Sequence, residues 1–541
     1  MTNSRREKYY IDVGRASDLE SVSERIIYRA LEIMPGFLAW LTLILMVVFS
    51  WVKPAWAAYF IIAFCFYWFL RIGHFSFHLI ASYRQMAKNL KMDWLKKLDS
   101  WDRLGARNRS VESIEGWKDV FHLIIFPMYK EDLFLVRETF RSLSKCFYPK
   151  DKMIVVLATE ERAGNGAQDI AEKIEKEFGK KFYKFLATCH PQNIPGELAG
   201  KGSNETWAAK IAKKEIIDSR DIPYENIIVS ALDIDTQIFP HYFGCLTYHY
   251  LTAENPLRSS FQPIPLYLNN VWEVPFFSRL VAFSNIFWQA LQQQRPEKLV
   301  TFSSHSMSFK ALSEMNFWQI NVVSEDAGIF WKSFLFYDGD YRIIPLQYPV
   351  SMDCVKNKNL KETVISQYKQ QRRWAWGSEG IPYLFFGFLK NGKIPFKSKA
   401  RYGFLLIEGF WAWATNAILI FFLGWLPLFL GGKEFGSTLL AYNLPVFTKN
   451  LMTLALFGLV ICAAVSFRLL SFSPFPKNYF KIFSAFLQWA FLPFTFLFFG
   501  ALPAIDAQTR LMLGRYMGFY VTEKVREKRR KSELVAGRLK I

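Results

Sequence analysis

The chain alternates between two textures. Residues 36–52 and 54–70 are apolar runs parted only by Lys53. Each approaches the ~20 residues that cross a bilayer, so together they predict a tight helical hairpin. A second apolar region covers 403–431, 451–470 and 480–505, with Glu408 inside its first block. That block is too long for one untilted span, and its start reads as an interfacial helix. Between the two regions the period changes. Residues 85–117 alternate charge with Trp94, Leu95, Leu98, Trp101 and Leu104, the spacing of an amphipathic helix on a membrane surface. From about 118, short β-type runs at 120–126, 153–157, 185–188 and 226–232 alternate with helical periods at 132–146, 167–178 and 204–217. This alternation predicts an α/β domain with a mainly parallel sheet covered on both faces by helices. Residues 264–294 and 375–400 read as aromatic-rich helices packed near the membrane, the second anchored by Lys390, Lys393, Lys397 and Lys399. The chain thus divides into a leading hairpin (1–72), an interfacial linker (73–117), the α/β domain (118–345), interfacial helices (346–402), a second membrane region (403–510) and a basic tail (511–541).

Charge orients this layout. The formal net charge is +20. Arg5, Arg6 and Lys8 precede the first apolar run, and Arg526, Lys528, Arg529, Arg530 and Lys531 crowd the tail. Basic residues beside spans indicate cytoplasmic anchoring at anionic lipid rather than a nucleic-acid partner. Both ends of the hairpin, and the domain behind it, are then cytoplasmic, in a multi-pass plasma (inner) membrane protein. Three further spans would carry the basic tail outside, against the positive-inside tendency. A sixth crossing, hidden in 480–505 or in 403–431, would restore the parity. The six cysteines form no CxxC pair and read as free thiols. The polar residues before the first run argue against a cleavable signal peptide.

Three short signatures carry the candidate chemistry. Asp233 and Asp235 end an apolar strand at i, i+2, a spacing that in extended backbone turns two carboxylates to one side. Such hard oxygen ligands suit a divalent cation on a nucleotide diphosphate, and a solvated turn is the plain alternative. Glu325-Asp326 opens a helical run; Asp326 can serve as a general base, or the two acids simply complement a helix start capped by Ser324. Gln370-Gln371-Arg372-Arg373-Trp374 offers a guanidinium for a diphosphate and a flat ring for a sugar, or else an interfacial basic helix. Pro127, Glu160 and Asp233 all follow strand ends, where ligands of such sheets bind. His305, in Ser303-Ser304-His305-Ser306, can line an acceptor entrance, but a satisfied loop histidine is the simpler reading.

In this order the motifs resemble those of the membrane-embedded family-2 glycosyltransferases, the group with cellulose, chitin and hyaluronan synthases. Asp233-Ile234-Asp235 matches DxD, Glu325-Asp326 matches TED with Ser324 for its threonine, and Gln370–Trp374 matches QxxRW. Pro127-Met128-Tyr129-Lys130-Glu131 is similar to the PxYxE opening. Phe519-Tyr520-Val521-Thr522-Glu523-Lys524 is similar to the FxVTxK gating loop. The resemblance covers roughly 118–530. It implies a GT-A fold, a Rossmann-type mixed or parallel sheet inserted between membrane helices. It implies Mg²⁺ or Mn²⁺ on Asp235 and Asp233, and Asp326 as base with Glu325 orienting its neighbours. Pro127, Tyr129, Glu131, Glu160, Lys201 and Asp233 would hold a UDP- or GDP-linked sugar. Glu160 stands where the family has an aspartate. Gln370, Arg373 and Trp374 would bind acceptor and diphosphate, and Phe519, Val521, Thr522 and Lys524 would close over the nucleotide. The implied activity is inverting hexose transfer to a glycan or lipid-linked acceptor, as processive polysaccharide synthesis. The alternatives are a single-sugar transferase to a lipid carrier and a non-catalytic subunit guiding glycan through a pore.

Overall fold

The computed structural model describes residues 8–103, 111, 113–470, 479–522 and 526. Strands β1 (Phe121–Pro127), β2 (Met153–Glu160), β3 (Lys184–His190) and β4 (Ile227–Ala231) form the parallel half of one sheet. Every position of β2 and β4 is buried, as near-continuous apolar strands are when helices cover both faces. The other half comprises β5 (Gln237–Ile238), β6 (Ser259–Leu266), β7 (Ser306–Ser308) and β8 (Arg342–Ser351), and the full order is β3-β2-β1-β4-β7-β6-β8-β5. β7 runs antiparallel to β4 and β6, and β6 parallel to β8. The domain is therefore a mixed sheet with flanking helices.

This second half hid from periodicity. Pro263 and Pro265 lie in β6, and prolines ordinarily keep to edges or bulges. A register shift between Gln262 and Ile264 accommodates them. Strand order reverses at β1, with β2 and β3 on one side and β4 on the other. Such a switch point opens a crevice at the carboxyl ends of the strands. Pro127 and Asp233 stand there.

Five helical segments are long and apolar enough to cross a membrane: Val22–Val52, Pro54–Lys91, Phe396–Phe421, Leu439–Leu470 and Phe483–Met512. This is a membrane protein. The third is one continuous helix, not an interfacial turn followed by a span. Its Glu408 pairs with Arg71 of the second helix, which answers the cost of an acid in an apolar stretch. The amphipathic stretch around Trp94 also departs from its expectation. Trp94 and Leu98 are buried, with Trp94 against Tyr248 and Tyr348 at ring-centroid distances of 5.6 and 6.5 Å. The apolar stripe meets the α/β domain instead of lipid. Leu104, which belongs to the same stripe, falls outside the described residues.

The last segment changes its winding twice, to a 3-10 stretch at Gln488–Phe491 and a π-helical stretch at Leu497–Ala501. Its early part packs on the α/β domain's Phe276–Gln293 helix, where Gln488 accepts from Arg279 and Trp489 stacks on Phe287. Its end packs near the start of the first helix, where the Leu511 and Met512 carbonyls accept from Arg29.

Candidate active site

Lys201 opens the helix Lys201–Ala212, which follows β3 and lies under the sheet's carboxyl edge. Asn204, one turn on, ties that helix to the end of β2 by donating to the Ala158 carbonyl at 2.8 Å. The Lys201 ammonium, 8% exposed, lies 2.8 Å from Asp233 Oδ1 and 2.7 and 2.9 Å from the two oxygens of Asp326. Glu205 and Glu325 stand 3.8 and 4.0 Å away. One ammonium thus gathers the acid at the end of β4 and both acids at the start of the helix Glu325–Phe336. Gly202 makes this approach possible, since a Cβ there would lie 2.7 Å from the Gln319 carbonyl and 3.0 Å from Glu325 Cβ.

Burial sets the protonation of the group. It pushes Glu205 well above the usual carboxyl range and Glu325 up to about 8, with Asp326 adding to the second shift. Burial alone would lower the Lys201 ammonium, but Asp233, Asp326, Glu205 and Glu325 together hold it well above its ordinary value. His305 is fully buried and pushed down to about 4 by that burial, so it is neutral near pH 7. Its Nε2 faces the Trp318 indole N–H at 3.4 Å, and its Nδ1 is 3.6 Å from Asp326 Oδ1. Its Nδ1 also faces the Phe302 carbonyl at 3.3 Å, so both ring nitrogens have partners, as a satisfied histidine requires.

Asp233 and Asp235 do not share one extended face. The chain turns between them, with the Thr236 N–H on the Asp233 carbonyl at 2.8 Å. Asp233 Oδ2 accepts from Ser303 at 2.6 Å. Asp235, 1% exposed, accepts the Asp353 N–H at 2.9 Å. Asp353 itself accepts from Asn269 and pairs with Arg526 at 2.7 Å. Arg526 therefore reaches back into the site, correcting its reading as a lipid anchor. Among the described residues no cluster of three or more His, Cys, Asp or Glu side chains is arranged around a metal position. Two hard carboxylates nonetheless fit a cation carried on a diphosphate, because Mg²⁺ so bound takes one or two carboxylates and completes its shell with phosphates and water.

The remaining expected residues form two flanking groups. At the β1 and β2 ends, Glu131 accepts the Tyr129 N–H at 2.7 Å, and Glu160 pairs with Arg162, whose guanidinium lies 4.7 Å over the Tyr129 ring. On the other side, Trp374 meets Tyr267 and Phe302 at 6.3 and 5.7 Å. Gln370 is buried and accepts from Gln367. Arg373 lies 4.8 Å over the Phe519 ring, and a Cβ on Gly200 would meet Phe519 at 2.8 Å. Val521 and buried Thr522 continue this strap, whereas Lys524 lies outside the described residues.

Glu205, Ser303, Asp353 and Arg526 were not singled out as site residues. Asp353 had a signal, an acid just past the apolar run 343–350, had that run been read as a strand.

No protein-family model and no curated protein matches the chain. Among solved structures it is similar to the mannosyltransferase PcManGT from Pyrobaculum calidifontis in complex with GDP-Man and Mn²⁺. That match has 14% identity and a TM-score of 0.39, covering 72% of this chain and 98% of the other. It is also similar to S. aureus TarS 1-349 in complex with UDP-GlcNAc, with 12% identity and a TM-score of 0.30, covering 64% and 90%. Both likenesses are too remote to assign an activity.

Proposed function

We propose that this chain is a membrane-bound inverting glycosyltransferase of the family-2 type. It moves a hexose from a UDP- or GDP-linked sugar to a glycan or lipid-linked acceptor, extending a polysaccharide at the cytoplasmic face of the plasma (inner) membrane. The observation that carries this reading is the Lys201 ammonium bridging Asp233 and Asp326, 125 residues from the second of these in sequence. It brings the strand-end acid and the candidate base into one site beside the aromatic group of Trp374.

Asp326 takes the proton of the acceptor hydroxyl as its oxygen bonds the anomeric carbon and the bond to the diphosphate breaks, a single displacement that inverts the centre. Lys201 donates to both oxygens of Asp326. An arriving diphosphate draws Lys201 away and frees the carboxylate. Arg373 stabilises the departing diphosphate by charge-assisted hydrogen bonds. Trp374, Tyr267 and Phe302 offer an apolar bed for the acceptor sugar. Asp235 and Asp233 would hold Mg²⁺ or Mn²⁺, which when bound neutralises charge on the leaving group.

The test is a panel of nucleotide sugars with Mg²⁺ or Mn²⁺, read by released nucleoside diphosphate. Asp326→Asn should cut turnover ~10²–10⁴-fold, the usual weight of a general base. Near-normal turnover in that variant would dismiss Asp326 as base. Product length on a gel separates polymer synthesis from single-sugar transfer.

A further inference from the structure

We infer that Glu379 is a positioning residue that clamps the loop carrying Asp326 to the helix end carrying Trp374; this rests on the glycosyltransferase reading above. One Glu379 carboxylate oxygen accepts from the Val323 N–H at 3.0 Å, the Ser324 N–H at 2.9 Å and the Ser324 hydroxyl at 2.6 Å. The other accepts from the Trp376 indole N–H at 2.7 Å. Four donors from two segments 52 residues apart thus converge on one side chain. Ser324 directly precedes the helix that opens with Glu325-Asp326, and Trp376 lies two residues past Trp374. Val323, Ala375 and Trp376 also share one apolar cluster, so the clamp is backed by packing.

The consequence is geometric. Asp326 must meet the acceptor hydroxyl while Trp374 holds the acceptor ring, so the distance between the two is a specification of the site. Neither residue sets it alone, because they sit on different helices. Errors near 1 Å in such placements can cost ~10²-fold in rate. The carboxylate suits the task because all four of its partners are donors. Glutamine in its place keeps one acceptor for Val323 and Ser324 but turns an N–H toward the Trp376 N–H.

That opposition supplies the test. Glu379→Gln in full-length protein in membranes should lower kcat ~10–100-fold, the usual cost of losing an orienting partner, and leave KM for the nucleotide sugar nearly unchanged. Combining it with Trp376→Phe, which removes the opposing N–H, should recover part of the loss. A purely structural role would move neither the kcat-to-KM split nor this rescue. Amide exchange over the peptide holding Val323 and Ser324 reads the clamp without turnover. It should rise in Glu379→Ala and Glu379→Gln and fall back in the double variant. Unchanged exchange in both single variants, or wild-type kcat in Glu379→Gln, would overturn the inference. Absence of turnover with every donor would instead overturn the glycosyltransferase reading, with the exchange result still deciding the clamp.

Discussion

Glu325 and Asp326 are adjacent and face the same ammonium, yet their side chains differ in exposure, 2% against 21%. A carboxyl raised by burial keeps its proton in the folded protein at a pH where the unfolded chain has released it. The stability it contributes is full below about 4.5 and is lost as pH rises towards about 8. Thermal unfolding followed from pH 5 to 9 should show that alkaline decline, and Glu325→Gln should flatten it. His305 acts at the other limb, since its depressed value means stability present above about 6.5 is lost as pH falls through about 4. Lys201→Met strands the carboxyls around it and should cost about 3–5 kcal/mol, measured by denaturant titration in detergent, because removing one partner of a buried pair leaves charge uncompensated. An intact midpoint would mean the acids are neutralised without it. Asp233 and Asp326 are legible because each sits at a strand end or helix start with polar neighbours, whereas Lys201 stands out only through the family resemblance. Glu205 is not legible, since an acid within a helix reads as solvent-facing until packing buries it.

At the level of elements, the stretch after the last apolar segment matters most. Phe519 fills the space beside Gly200, and Arg526 holds Asp353 next to Asp235. Gly200→Ala would place a methyl in the Phe519 ring, an overpacking of about 1–3 kcal/mol that the strap can relieve by lifting. Limited proteolysis should then cut faster after Met512, and transfer should fall. Equal cleavage rates would show that Phe519 does not anchor the strap. The FxVTxK pattern marked this stretch as an element, but its seat depends on residues far apart along the chain. The helix around Trp94 teaches the converse. Its apolar stripe was read correctly as a stripe and assigned to the wrong partner, because an amphipathic face looks the same whether it meets lipid or protein.

For the whole molecule, the contacts of the final segment bear on the parity of crossings. Its early part lies on the helix Phe276–Gln293 and its end lies beside Arg29, both on the side of the α/β domain. From these contacts we expect the segment to enter and leave the membrane on one side, so that four of the five apolar segments cross. Single cysteines at Lys433 and Tyr516, probed with an impermeant thiol reagent in sealed vesicles, should label from opposite faces. Labelling from one face would restore a fifth crossing. Sequence alone determined the α/β alternation, the apolar segments and the order of the acidic signatures, because each depends on near neighbours and a short period. Tertiary structure alone decided the proline-bearing β6, the return of Arg526 to Asp353 and the convergence of four donors on Glu379. Those depend on pairings between distant segments, and no local pattern records which distant group will supply the partner.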